Sequence, residues 1–355
     1  MNPVTRSILR FTVRALLTAL PVVLVAVAFY IVRDPFKVVR SYDNYFPDPV
    51  ANPARVGLNK GVVSLDCYLR NSAEDSSQPI NAIIFGCSVS CYYDADEWAS
   101  ILRDKYGDSI NIRAMHFDSS SETPQSLARK VAFLAKRHAL PDYALIVLDP
   151  IILAGDDNDS PYTIEPPALE PGLAHFLKFH YTIFRAATNA DFLKSLIYAD
   201  ITGQPGSIGH NPIFEGQPIV HDPRTNQESI PLWDSIIAAN PEEFYNTYPL
   251  IPPTDTVTVS APVLTEAKVK AFTEIAQNLS AKSTDLKVIV SPNRRGVSLS
   301  PVDLQTLQNL FGADHVFDFS ASHARDLRTD TLLYDNTHYR PPFASRLMHS
   351  VYRAE

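Results

Sequence analysis

Cysteine and glycine are scarce in this chain, and each shortage excludes something. The three cysteines among 355 residues, Cys67, Cys87 and Cys91, are odd in number and form no CxxC pair. Neither a disulfide framework nor a zinc site is indicated, and Cys87 and Cys91, four residues apart, are expected to be reduced packing thiols. Glycine (12) is far outnumbered by proline (28), and the prolines crowd residues 150–262, which predicts an irregular, proline-pinned insertion there. No long basic run is present. With a formal charge of -8 built from scattered acids and bases, nucleic acid is not expected as a partner, and soluble or glycan-type substrates fit better. The marks of disorder are missing too, since 45% of residues are apolar and only 20% charged, enough for at least one sizeable core.

The N-terminus carries the one long hydrophobic run. Ala15 to Val32 holds no charge and follows Arg6, Arg10 and Arg14 with no acidic residue before it. That length just spans a hydrocarbon core, and the basic flank favours the cytoplasmic side, which exports the rest of the chain. Residues 1–33 therefore read as an uncleaved single-pass anchor in the cytoplasmic (inner) membrane, with the globular part periplasmic or extracellular. A cleaved signal peptide is the rival, because Ala26-Val27-Ala28 resembles a small-x-small cleavage site. Pro21 is tolerated in a lipid-embedded helix.

Residues 34–78, rich in Asp, Asn and Pro, read as a polar connector. From 79 to 355 strand-like and helix-like segments alternate: strands at 80–86, 110–118, 143–149, 286–292 and 315–320, and helices at 94–107, 121–138, 265–283, 300–312 and 341–353. Short, continuously apolar strands in β-α-β order predict an open five-stranded parallel sheet covered on both faces, an α/β three-layer sandwich of flavodoxin-like type. The insertion at 150–262 follows the third strand, with helical patterns at 173–201 and 231–249 separated by a Pro/Gly/Asn-rich run. Its aromatics predict either core or a lid and glycan-stacking platform.

Active sites of open α/β sheets form beyond the carboxyl ends of the strands, where Gly86-Cys87-Ser88 lies. It is no GxSxG elbow, so an α/β-hydrolase is disfavoured. Asp335-Asn336-Thr337-His338 precedes the last helix. A serine hydroxyl needs a base to take its proton, and the base needs an acid to hold its tautomer. A DxxH turn supplies both from one loop, so Ser88, His338 and Asp335 form a candidate triad. Ser88 as a mere helix cap and Asp335–His338 as a surface Asx-turn are the alternatives. Arg294 and Arg295, after the fourth strand, are candidates for an anionic substrate group, with a solvated loop as the favoured alternative. Asp156-Asp157-Asn158-Asp159 lacks the glycine and glutamate of an EF-hand and reads as a solvated turn. No metal is expected.

With these two motifs residues 80–353 resemble the SGNH (GDSL-type) hydrolase superfamily, and more closely its membrane-anchored branches related to D-alanine transfer and alginate-type O-acetylation proteins. The resemblance implies Ser88 as nucleophile, Asp335 and His338 as acid and base, and Tyr339 as the aromatic that follows the histidine and a substrate-side candidate. Two family positions depart: Ser119, Ser120 and Ser121 stand where a block II glycine is expected, and Asp149 where a block III asparagine is. The oxyanion candidates are thus the Ser88 amide, Ser119, Ser120 and Asp149. The implied activity is a cofactor-free acyl esterase or O-acyltransferase, commonly acetyl, acting on a cell-surface or exported polysaccharide beside a membrane-embedded acyltransferase. A catalytically weak module of the same fold that binds glycan or such a partner is the alternative. A lipase or thioesterase with an apolar channel in the insertion is a third.

Overall fold

In the computed structural model of the chain, residues 2–46, 55–74, 77–107, 109–203, 214–215, 218–253, 256–321 and 326–353 are described. Much of the Pro/Gly/Asn-rich run of the insertion lies outside them. Five strands form the central sheet: β1 (Ala82–Gly86), β2 (Ala114–His116), β3 (Tyr143–Leu148), β4 (Asp285–Val290) and β5 (Val316–Asp318). Their spatial order is β2-β1-β3-β4-β5, and every pairing is parallel. All five expected strands are present. The edge strands β2 and β5 are shorter than their sequence runs, since each has a ladder partner on one side only.

The strands are apolar on both faces because both faces are covered. Ala82, Ile84, Leu145, Val147 and Ile289 point into one cluster with helices Ala95–Tyr106 and Pro341–Arg353. Ile83, Phe85, Ala144, Ile146, Val288 and Val290 point into the other, against helices Pro124–Lys136, Glu266–Lys282 and Pro301–Phe311. The alternation is the period of two of an extended chain. Side-chain oxygens start the helices where the sequence places capping residues: Asp94 accepts from Glu97 N (2.7 Å), Thr265 caps Glu266–Lys282, and Ser300 caps Pro301–Phe311.

The connector is not wholly a connector. Lys60–Glu74 is a helix whose Val63, Leu65, Cys67 and Tyr68 pack into the second cluster, so the α/β unit starts before residue 79. Its inward face also carries Lys60, Ser64 and Asn71, and these polar residues hide the apolar periodicity. The expected 173–201 helix is two, Leu173–Ala187 and Ala190–Thr202, divided where Asn189 caps the second by accepting from Asp191 N (2.9 Å). The insertion is part of the fold rather than a separate body: Ile219, Ile230, Trp233, Ile237 and Phe244 are buried with Tyr334, Tyr339 and Phe343.

Helix Pro3–Arg33 is long and apolar enough to cross a membrane, and only 6% of its most apolar stretch is buried. It ends at Asp34, in left-handed conformation (φ 43°), whose carboxylate accepts from the amides of Val38, Val39 and Arg40 at 2.8–3.2 Å. That folds the chain back at once onto the domain.

Candidate active site

From β1 the chain runs to β2 on one side, while β3 lies on the other, so the carboxyl ends of β1 and β3 flank the topological switch point of the sheet. Gly86 ends β1 there, opposite Val147 in register. Its φ is +151°, and a Cβ would sit 2.6 Å from Val147 O and 2.9 Å from Ser90 Cβ. Only glycine lets the chain turn this close to β3. Immediately beyond, Ser88–Tyr92 forms a 3₁₀ turn, tightened by Ser90 Oγ donating to Cys87 O (2.7 Å).

The Asp335–His338 loop approaches from the other side. Its ends are tied by Tyr334 N donating to His338 O (2.8 Å) and by a bridge between Leu333 and Tyr339. Within it, Asp335 Oδ1 accepts from the amides of Thr337 (2.7 Å) and His338 (2.8 Å), and Oδ2 lies 2.8 Å from His338 Nδ1. His338 Nε2 stands 2.8 Å from Ser88 Oγ. Three residues from two loops 250 positions apart thus form a continuous serine–imidazole–carboxylate chain. Burial alone would raise the Asp335 carboxyl. The His338 hydrogen bond and charge, with the two amides, outweigh it and hold the group below the usual aspartate range. Ser88 and His338 are both half-buried, so solvent reaches the reacting end, while the ring of Tyr92 meets the imidazole edge-on at 5.8 Å.

The insertion clamps this loop. Asp234, on helix Pro231–Ala239, takes Tyr334 Oη (2.7 Å) and Arg340 Nε (2.7 Å); Tyr245 Oη donates to Leu333 O (2.7 Å); Ile251 N donates to Asn336 Oδ1 (2.6 Å). Trp233 and Phe244 are core, meeting edge-on at 5.4 Å with Trp233 also against Tyr334, while Tyr248 covers them from an exposed position.

Beneath the 3₁₀ turn lies a buried ionic cluster that the sequence did not disclose. Lys60 Nζ contacts Asp118 Oδ2 (2.9 Å), Glu228 Oε1 (3.0 Å) and Cys91 Sγ (2.6 Å). Asp118 also accepts from Ser64 Oγ (3.0 Å). Burial would raise Asp118, but Lys60 and His116 outweigh it and keep the carboxyl below its usual range. Burial would likewise lower the Lys60 ammonium, and Asp118, Cys91 and Glu228 hold it well above. The pair is therefore ionised, and it anchors the turn from below. A signal existed in the acid just after β2, but its partner sits in the connector helix.

Several expected site residues lie elsewhere than the sequence suggested. Tyr339 is fully buried, its hydroxyl bonded to Tyr93 Oη (3.0 Å) and Ser291 Oγ (2.8 Å), so it is a core residue and does not face substrate. Arg294 is equally committed, to Ile251 O (2.7 Å), Leu327 O (2.9 Å) and Asp330 (2.7 Å). It pins two loops, whereas Arg295 is exposed and close enough to act on Asp149. The Ser119 amide is spent on Gly86 O (3.1 Å) and its hydroxyl accepts from Lys130 Nζ (2.8 Å), which removes the amide from the oxyanion donors. Ser120, next in the same turn, is half-buried.

Asp149 follows β3 at the switch point and is 2% exposed. Its Oδ1 accepts from Ile151 N (2.6 Å) and Ile152 N (3.2 Å), while Oδ2 is shielded from solvent and has no hydrogen-bond partner among the described residues. Burial pushes this carboxyl up, against the two amides, His338 and Arg295. The acidic run is solvent-exposed, as expected, and also makes ion pairs: Asp157 with Arg129 (3.0 Å), Asp159 with Lys178 (2.7 Å) and Asp156 with Lys268 (3.5 Å). It borders a polar cavity of about 290 Å³. Among the described residues no group of three or more His, Cys, Asp or Glu side chains could hold a metal. The three cysteines are buried and free, and burial raises the Cys87 thiol far above its usual range, which leaves it no thiolate character.

In comparisons with known proteins, no family model and no curated protein matches the chain.

Proposed function

We propose that this protein is a serine-dependent acyl esterase or O-acyltransferase with an SGNH-like fold, held to the cytoplasmic membrane by Pro3–Arg33 with its α/β domain on the outer side. The observation that carries the reading is the Ser88–His338–Asp335 chain, with both links at 2.8 Å, set at the switch point of a doubly wound sheet. Arg6, Arg10 and Arg14, in the first turns of that helix and ahead of its uncharged stretch Ala15–Val32, support the orientation.

In the reaction His338 Nε2 takes the proton of Ser88 as Oγ bonds to the acyl carbon. Asp335, accepting from Nδ1–H, stabilises the imidazolium. As the tetrahedral intermediate collapses, the ester C–O bond breaks and His338 returns the proton to the departing alkoxide. The acyl-serine then passes its acyl group to water or a sugar hydroxyl, with His338 again the base. The Ser88 amide, at the first position of the 3₁₀ turn where no intrahelical acceptor exists, is the first oxyanion donor, and Arg295, exposed and near enough to act on Asp149, is the candidate for an anionic group on the polymer. A cell-surface or exported polysaccharide suits the membrane tether, and a membrane-embedded acyltransferase is the partner for the transfer direction.

The second reading, a glycan- or partner-binding module with little chemistry, draws on the spent Ser119 amide and the carboxylate at 149. Incubating the full chain in detergent with an O-acetylated polysaccharide and following released acetate separates the two. Acetate release that Ser88→Ala abolishes supports the enzyme, whereas retained polysaccharide binding without release, also under fluorophosphonate, supports the module.

A further inference from the structure

Two helices of the insertion carry apolar surface that the domain does not bury. Helix Leu173–Ala187 turns Phe179, Ile183 and Ala187 inward against Phe36, Phe192 and Leu196. Leu173, Phe176, Leu177 and Tyr181 form a second stripe at helical spacing, 75%, 47%, 57% and 63% exposed. Helix Ala190–Thr202 adds Ile197 and Ile201, one turn apart and 58% and 78% exposed. A surface helix of a soluble domain needs one apolar face, and Leu173–Ala187 has two.

The uncovered stripe is continuous with the outer end of the apolar span. Tyr30 Oη bonds His180 Nδ1 (2.8 Å), its ring meets Phe184 edge-on at 5.7 Å, and His180 in turn meets Phe176 at 4.4 Å. Positions 173, 177, 180, 181 and 184 share one side of the helix, so the residues touching Tyr30 belong to the same side as the exposed stripe. Arg33, which closes the span, pairs with Asp200 on the second helix. Tyrosine at the end of a span sits at headgroup level, which puts the hairpin at that depth as well. Surface that adjoins a lipid-embedded helix at the headgroups meets lipid first.

We propose that the hairpin Leu173–Thr202 lies in the outer-leaflet interface beside the emerging span, with Leu173, Phe176, Leu177, Tyr181, Ile197 and Ile201 inserted among the lipid chains. Helices with an apolar face dip into the headgroup–acyl boundary in this way. The domain is then held to the membrane at two places, so it cannot swing freely on its tether. The half-buried Ser88–His338 pair keeps one orientation to the bilayer. This inference rests on reading Pro3–Arg33 as a membrane span, and the test separates the two.

Single cysteines are placed in the full chain at Leu177→Cys and Ile201→Cys, at Leu20→Cys in the span, and at Arg185→Cys as a control, spin-labelled and reconstituted in phosphatidylcholine–phosphatidylglycerol nanodiscs. All four sites are exposed, and the native cysteines are buried. Power saturation with oxygen and a water-soluble nickel chelate reports depth. The expected result places the labels at 177 and 201 about 5–10 Å into the interface, the label at 20 deeper, and the label at 185 in water. Labels at 177 and 201 in water while that at 20 is in lipid overturn the hairpin's insertion alone; a label at 20 in water overturns the span as well. Dipolar broadening between labels at 177 in discs with two copies also overturns it, and assigns the stripe to a second copy of this chain.

Discussion

Replacing Asp335 by asparagine removes one charge and no volume, and the loop geometry dictates how the imidazole responds. In the wild type Oδ1 is held by the amides of Thr337 and His338, and Oδ2 faces His338 Nδ1. Asparagine has one acceptor, and the two amides claim it. Its NH₂ group must then point at Nδ1, which can no longer carry a proton and becomes an acceptor. The imidazole proton moves to Nε2, facing Ser88 Oγ, where a base is needed. The fold is kept, since the backbone bonds of the loop survive, yet the tautomer is wrong. For a serine–histidine–aspartate arrangement that costs about 10⁴-fold in kcat, or about 5 to 6 kcal/mol of transition-state stabilisation. The assay is hydrolysis of p-nitrophenyl acetate by the full chain, with circular dichroism to show the fold unchanged. Asp335→Asn activity within tenfold of wild type would refute the reasoning, because His338 would then not depend on Asp335.

Three further outcomes are expected of the site and its support. Asp149→Asn keeps the acceptor used by Ile151 and Ile152 and puts an N–H where Oδ2 has no partner among the described residues. kcat/KM is expected to rise about tenfold, part of the value of one oxyanion donor, and a fall measured with the same ester would show that the carboxylate itself acts through His338. Gly86→Ala forces a Cβ to 2.6 Å from Val147 O at φ +151°. The expected loss is about 2–5 kcal/mol of unfolding free energy, read from urea melts, and a loss under about 1 kcal/mol contradicts the close approach. Asp118→Asn leaves the buried Lys60 with Glu228 (3.0 Å) as its one remaining carboxylate in the cluster, for an expected loss of about 1.5–3 kcal/mol at neutral pH. The wild-type contribution of Asp118, whose carboxyl is held low, is present above the ordinary aspartate value of about 3.9 and disappears as pH falls through the depressed one. Wild type therefore loses its advantage over the variant in acid, and a gap in urea midpoint that persists to the lowest pH would contradict the pairing.

The sheet was legible because both its faces are buried, so Ala82–Gly86 and Tyr143–Leu148 appear as apolar runs, and the other strands keep an apolar majority around His116, Lys287 and Asp318. Ser88 and the Asp335–His338 turn were legible because their roles require fixed residue types near strand and helix ends. What the sequence concealed depends on partners far away along the chain. Helix Lys60–Glu74 presents Lys60 and Ser64 to the interior, where Asp118, Asn226 and Glu228 meet them, and Asn71, which donates to Pro223 O (2.8 Å). Tyr339 and Arg294 read as surface groups because a histidine's neighbour and an Arg-Arg pair after a strand often are, yet Ser291, Tyr93, Leu327 and Asp330 enclose them. The clamp of Asp234 on Tyr334 and Arg340 joins the insertion to the catalytic loop, and no local pattern signals it.

The central claim is that Ser88 is a nucleophile activated by His338, and labelling by a fluorophosphonate probe with peptide mass spectrometry tests it most directly. The account predicts a single adduct on Ser88, formed by the wild type and lost or strongly slowed in His338→Ala. An adduct on another residue, or wild-type protein that stays unlabelled under conditions that label a control serine esterase, would contradict it.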